Sequence, residues 1–186
     1  MAQKLLLLLI LLCWVGRADG RPAQVIIIRH AEKPDEGNHL SLKGRERAAA
    51  LVPYFQGRPE VLKYKTPVAI YAQGAKNEDS SHRPVETVKG LTRALKLEII
   101  DKYTHDEYPK MVAEILATKE YDGRMVLICW EHKVIPDMAK EFGVKNAPGK
   151  WHGDIYDRTW VITFPPEGKP SFENLPQKLM FGDSAH

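Results

Sequence analysis

The sequence predicts an α/β protein, a three-layer α/β/α sandwich with a mostly parallel central sheet. Short apolar runs rich in β-branched residues alternate along the chain with stretches whose apolar residues recur every three or four positions. The runs are continuously apolar rather than alternating, the pattern of strands covered on both faces. With 186 residues, 44% of them hydrophobic and 27% charged, the chain has the size and composition of one ordinary globular domain.

Residues 1–20 read as a signal peptide. Lys4 precedes an apolar run from Leu5 to Val15, and Ala18 and Gly20 are the small residues required by a cut before Arg21. The run falls short of the roughly 20 residues that a membrane span takes. Export is expected, to a periplasm or out of the cell. Retention of the leader as an anchor stays open, as does lipidation at Cys13, against which the bulk of Leu12 argues. Residues 21–186 are then a single domain, large enough to bury roughly 70% of its unfolded surface without disulfide or metal staples. Cys129 becomes its only cysteine and reads as a small buried hydrophobe in an apolar run.

Val25–Ile28, bounded by Pro22 and a charged loop, is the first strand. Ser41 caps a helix carrying Ala48, Leu51, Val52 and Phe55 on one face, and Pro53 is expected to end or kink it near Val52. Pro67–Ala72 is the second strand. Pro84 suits the first turn of a helix bearing Val88, Leu91, Thr92 and Leu95, with Gly90 weakening its middle. A short strand follows at Leu97–Ile100, then an amphipathic helix with Tyr108, Met111, Val112, Ile115 and Leu116. Met125–Trp130 is a strand, Ile135, Met138, Ala139 and Phe142 stripe a last helix, and Ile155–Phe164 is a strand. The Pro- and Gly-bearing tail after Pro165 is expected to wrap the surface.

A sheet of this kind binds ligands beyond the carboxyl ends of its strands. Arg29 and His30 follow the first strand, His82 and Arg83 open the helix after the second, and Glu131 and His132 follow the Met125–Trp130 strand, with His132 opening the next helix. Arginines and imidazoles converging near helix N-termini make an anion site, because guanidinium donors match a phosphate in pairs. A neutral imidazole held beside a phosphoryl group is also a nucleophile. The chemistry implied is phosphoryl transfer through a phosphohistidine, followed by hydrolysis.

The run Val25-Ile26-Ile27-Ile28-Arg29-His30-Ala31-Glu32-Lys33-Pro34, with Leu40-Ser41, Gly44 and Arg47-Ala48 after it, resembles the opening of the histidine phosphatase superfamily, in the branch of phosphoglycerate mutases and small phosphohistidine phosphatases. Arg83 with Thr87 resembles its second element and His132 its third. The resemblance implies a metal-independent phosphatase without cofactor, acting on phosphomonoesters or phosphohistidine of a small molecule or phosphoprotein. It makes His30 the phosphorylated nucleophile, with Arg29, Arg83 and His132 around the phosphate and Lys33 as a further contact. It also implies an acidic proton donor between the second and third elements, for which Asp101, Asp106 and Glu107 qualify. Asp106 equally suits an N-cap, and Glu107 a favourable helix-start charge.

Two residues depart from the family pattern. Ala31 stands where glycine is usual, and Glu131 stands beside His132, where a carboxylate facing the pocket would repel phosphate. Glu131 is therefore expected to point away. A catalytically impaired relative that binds phosphorylated ligands without turnover is the alternative. A metal-dependent hydrolase is a third reading, but His152 with Asp154 lacks a third ligand at a supporting spacing. Hydrolysis is favoured over mutase action, since about 50 residues between successive elements leave little room for a lid.

The remaining polar residues have simpler readings. His39 and His105 are expected to be exposed, and His82 to lie at the rim or on the surface. Lys33, Lys43, Arg45 and Arg47 read as a solvated face or a field that steers anions. Trp151, Tyr156 and Trp160 read as packing. A net charge of +3 carries no nucleic-acid or membrane signal.

Overall fold

The computed structural model of the chain describes residues 20–184. The leader expectation, including Lys4 and Cys13, lies outside the described residues apart from Gly20. No helix among the described residues is long and apolar enough to cross a membrane.

The elements run β1 (Gln24–Arg29), α1 (Leu42–Gly57), β2 (Ala69–Ala72), α2 (Arg83–Leu95), β3 (Ile99–Ile100), α3 (Tyr108–Ala117), β4 (Met125–Trp130), α4 (Ile135–Glu141), β5 (Arg158–Thr163) and β6 (Ser171–Pro176). They form one six-stranded sheet in the order β3-β2-β4-β1-β5-β6. β1, β2, β3 and β4 are mutually parallel, whereas β5 and β6 add an antiparallel flank. The sheet is mostly parallel and helices cover both of its faces, as expected.

Strand alternation sorts the core into two layers. Val25, Ile27, Val126, Ile128 and Trp130 pack with Met111, Val112 and Ile115 of α3 and with Ile135, Met138 and Ala139 of α4. Ile26, Ile28, Leu127 and Cys129 pack with Leu51, Tyr54 and Phe55 of α1 and with Val88 and Leu91 of α2. Cys129 is fully buried, and burial pushes its thiol well up from the usual range.

Four expectations need correction. α1 does not end at Pro53 but runs on to Gly57. The missing N–H and ring clash cost about 3 kcal/mol in a helix interior, yet Tyr54 and Phe55 beyond the proline are buried and hold the turn in place. β5 starts at Arg158 rather than Ile155, because residues 153–156 are engaged elsewhere. The tail does not merely wrap: residues 171–176 pair with the whole of β5. That strand is held by main-chain bonding and shows little burial, so its sequence carries no apolar pattern. Finally, α4 begins at Ile135, leaving His132 in the turn before it.

Candidate active site

Because β1, β2 and β4 are parallel neighbours, their carboxyl ends share one edge of the sheet. Arg29 and His30, Gln73 and Gly74, and Glu131 and His132 all emerge there. Ser41 shapes the loop after β1. Its hydroxyl donates to the Glu32 carbonyl (3.1 Å) and accepts from Gly44 N (3.0 Å), so the start of α1 is pinned to the loop. Thr87 of α2 does the same from the other side. Its hydroxyl donates to the Arg83 carbonyl (2.7 Å) and accepts from Ala31 N (2.9 Å).

His30 is 4% exposed, with Nδ1 2.7 Å from the Ala31 carbonyl oxygen. A carbonyl only accepts, so Nδ1 bears the proton and Nε2 keeps its lone pair. Burial pushes the imidazole down to about 3, and repulsion from Arg29, Arg83 and His132 adds to this against the pull of the Ala31 hydrogen bond. The four sequence-chosen groups therefore lie within electrostatic reach of one another.

Arg29 is almost completely buried. Its Nη1 donates to the carbonyls of Gly153 (2.7 Å) and Ile155 (2.9 Å), and its guanidinium lies 3.7 Å from the centre of the Tyr156 ring. Its Nε is buried with no partner among the described residues. Arg83 sits half-buried at the start of α2, where Nε donates to Ser81 Oγ (3.0 Å). His132 is half-buried against Gly153, where an added Cβ would come within 3.4 Å of Nε2. Its Nδ1 is 2.8 Å from Glu131 Oε1 but out of line for a hydrogen bond, and the two form an ion pair only when the imidazole is protonated. Burial lowers the basicity of His132. Arg29, Lys133 and Lys33 lower it further, and Glu131 opposes them. Lys33 is exposed and acts on the site through its field.

Several expectations change here. Glu131 does not point away: its carboxylate lies between two imidazoles, beside His132 and accepting from His105 Nε2 (3.2 Å). His105 is thus not simply exposed; its Nδ1 lies 2.6 Å from Asp106 Oδ1. Asp106 is no N-cap, since Thr104 caps a short 3₁₀ turn over residues 105–107. Glu107 is occupied as the partner of that cap. It accepts from Lys110 Nζ and from Thr104 N and Oγ1, and the lysine first, then the threonine bonds, hold its carboxyl down to about 2. Arg47 is no part of a solvated face. It is 2% exposed and donates to Glu32, Gln177 and Asp183. Tyr156 is a cover for Arg29 rather than core, while Trp151 and Trp160 do pack together, with ring centres 5.0 Å apart. His82 lies at the head of α2, stacked on exposed His39, whose Nδ1 is 2.6 Å from Glu86 Oε1.

The segment Gly153–Tyr156 was missed by sequence reasoning. Backbone carbonyls have no sequence signature, and only Gly153, which lets His132 approach, hints at its place.

The sequence matches no protein-family model and no curated protein. Solved structures do match. The protein histidine phosphatase SixA complexed with tungstate superposes with a TM-score of 0.60 at 14% identity, over 83% of this chain and 97% of that one. The histidine phosphatase fold is shared. Phosphoglycerate mutases from Bacillus anthracis str. Sterne (TM-score 0.53, 11% identity, 85% of this chain and 94% of that one) and Plasmodium falciparum (0.51, 12%, 88% and 97%) share it too. At such identities the likeness speaks for the histidine phosphatase fold alone, and the roles of individual residues rest on the geometry above.

Proposed function

We propose that this chain is an exported, metal-independent phosphatase that hydrolyses phosphomonoesters or phosphohistidine through a phosphohistidine on His30. The observation that carries this reading is the buried neutral imidazole, its proton committed to Ala31 and its Nε2 lone pair free, ringed by cationic donors. Arg29 Nε is buried without a hydrogen-bond partner, and a tetrahedral oxyanion supplies what such a donor lacks. That the SixA structure of the same fold was obtained with tungstate, an ion of that shape, supports the same reading.

In the reaction, Arg29, Arg83 and His132 hold the phosphoryl oxygens while Nε2 attacks phosphorus opposite the leaving group. The Nδ1–H bond to Ala31 keeps the ring oriented and stabilises the positive charge that grows on it. Water then attacks phosphorus and releases inorganic phosphate. Tyr156 and the carbonyls of residues 153 and 155 keep Arg29 in place, so little reorganisation is needed as charge develops.

His30→Ala should abolish turnover of p-nitrophenyl phosphate, and quenched wild-type protein should carry acid-labile, base-stable phosphate that the variant lacks. Unchanged turnover in the variant rejects the proposal. The alternative of binding without turnover draws on the carboxylate of Glu131 at the pocket. Tungstate binding by a wild-type protein that turns over no phosphoester would favour it.

A further inference from the structure

We propose that Glu131 is the proton-handling residue of this site, with His105 and Asp106 linking it to solvent. This rests on the phosphatase reading and concerns the proton-donor role, for which Glu107 is already committed to its cap and to Lys110.

A line of contacts crosses the pocket wall. Asp106, its side chain 92% exposed, lies 2.6 Å from His105 Nδ1; His105 Nε2 is 3.2 Å from Glu131 Oε2; and Glu131 Oε1 is 2.8 Å from His132 Nδ1. His105 and Glu131 are each held by a neighbour outside the line. The Trp130 indole donates to the His105 carbonyl (3.3 Å), Glu131 N donates to Gln73 Oε1 (3.1 Å), and Lys133 N donates to Glu131 Oε2 (3.1 Å). Oε2 is therefore saturated, whereas Oε1 has no aligned donor and remains able to carry or give a proton. The titratable and charged groups facing the carboxylate are His105, His132 and Arg29, with Lys133 and Lys33 acting on His132.

A carboxylate on the wall of an anion pocket weakens binding of a phosphate dianion, unless it takes up a proton as the dianion enters. Repulsion between like charges drives that uptake, through His105 and Asp106 from solvent. In the first step the His30 Nε2–P bond forms, the ester P–O bond breaks, and the Glu131 proton passes to the leaving oxygen. In the second step water attacks phosphorus and gives a proton to the Glu131 carboxylate. The P–N bond breaks, its electron pair returns to Nε2, and hydrogen phosphate leaves. The carboxylic acid is restored without any other reactant.

The test compares Glu131→Gln with wild type on an alkyl phosphate and on p-nitrophenyl phosphate, whose leaving group needs little protonation. For the alkyl ester kcat/KM should fall by about 100-fold or more, the usual worth of a general acid. For the aryl ester the fall should be slight, and a stoichiometric burst of p-nitrophenol should appear because the second step has lost its base. Tungstate binding should persist, showing that the pocket is intact. Equal losses on both esters, or undiminished alkyl turnover, overturn the assignment. His105→Ala should alter the pH profile of alkyl-phosphate turnover, and an unchanged profile overturns the relay. His30→Ala distinguishes the two layers of inference. Turnover surviving in it sinks the phosphatase reading, whereas an inactive His30→Ala beside an unaffected Glu131→Gln sinks only this one.

Discussion

His30 leaves a pH signature in folding as well as in chemistry. Its imidazole ionises near 6.5 when unfolded and near 3 when folded, chiefly because burial disfavours the cation. Between those values the unfolded chain binds the extra proton, so stability is complete above the unfolded value and drains as pH falls towards 3. At pH 5 the loss from this group alone is about 2 kcal/mol. Urea unfolding at pH 7.5 and 5 should therefore show wild type losing about that much more than His30→Gln, a comparison in which other titrating groups cancel. Parallel losses would remove the buried neutral imidazole from the account. Arg29 and His30 were legible in the sequence because they adjoin a strand and so inherit its end. Glu131 was visible but misread, since a charge beside a phosphate site looks repulsive until its two imidazole neighbours are seen. His105 is 26 residues away from Glu131 in the chain, and nothing in the spacing announces their meeting.

Among the elements, α1 shows how tightly a helix start can hold the loop after β1. A Cβ on Gly44 would lie 2.3 Å from the Glu32 carbonyl oxygen, so the helix and the loop after β1 touch backbone to backbone. Gly44→Ala should cost about 1–3 kcal/mol, as overpacking does, with loss of turnover as the loop bearing His30 shifts. Gly57→Ala at the other end of the helix, where an added methyl meets nothing within 4 Å, should be close to neutral. Thermal unfolding of the two variants checks this, and similar melting temperatures would refute it. β4 and the starts of α1 and α2 were readable from apolar continuity, Ser41 and Pro84. β6 was not, because hydrogen bonding to an edge strand requires no apolar side chain, and Pro53 misled because local propensity yields to the packing of Tyr54 and Phe55.

Across the whole molecule, one buried network joins distant parts of the chain. Arg47 donates to Glu32 (2.8 Å) in the loop after β1 and to Asp183 (2.7 Å) near the end of the described residues, with Gln177 beside it. Two carboxylates share one guanidinium, so the partners are not equivalent. Arg47→Met leaves Glu32 with only Lys43 at 4.0 Å and Asp183 with only the backbone donors of Leu179 and Met180, and should cost about 3–5 kcal/mol. Asp183→Asn leaves Arg47 still neutralised by Glu32 and should cost about 1.5–3 kcal/mol. Denaturant unfolding that ranks Asp183→Asn as the more damaging would show that the network is not centred on Arg47. The layered architecture was predictable from alternation alone, whereas this network links residues 136 apart and no local pattern encodes it.

The position of β1 in the sheet bears on the order in which the protein is made. Residues 24–29 are synthesised before the segments they pair with, residues 125–130 on one side and residues 159–163 on the other. Until those segments have left the ribosome the first strand has no neighbour, and His30 lacks the residues that surround it. Such long-range pairing slows folding. If the chain is exported as proposed, a central strand whose partners arrive last keeps it threadable until its passage through a translocation pore is nearly over.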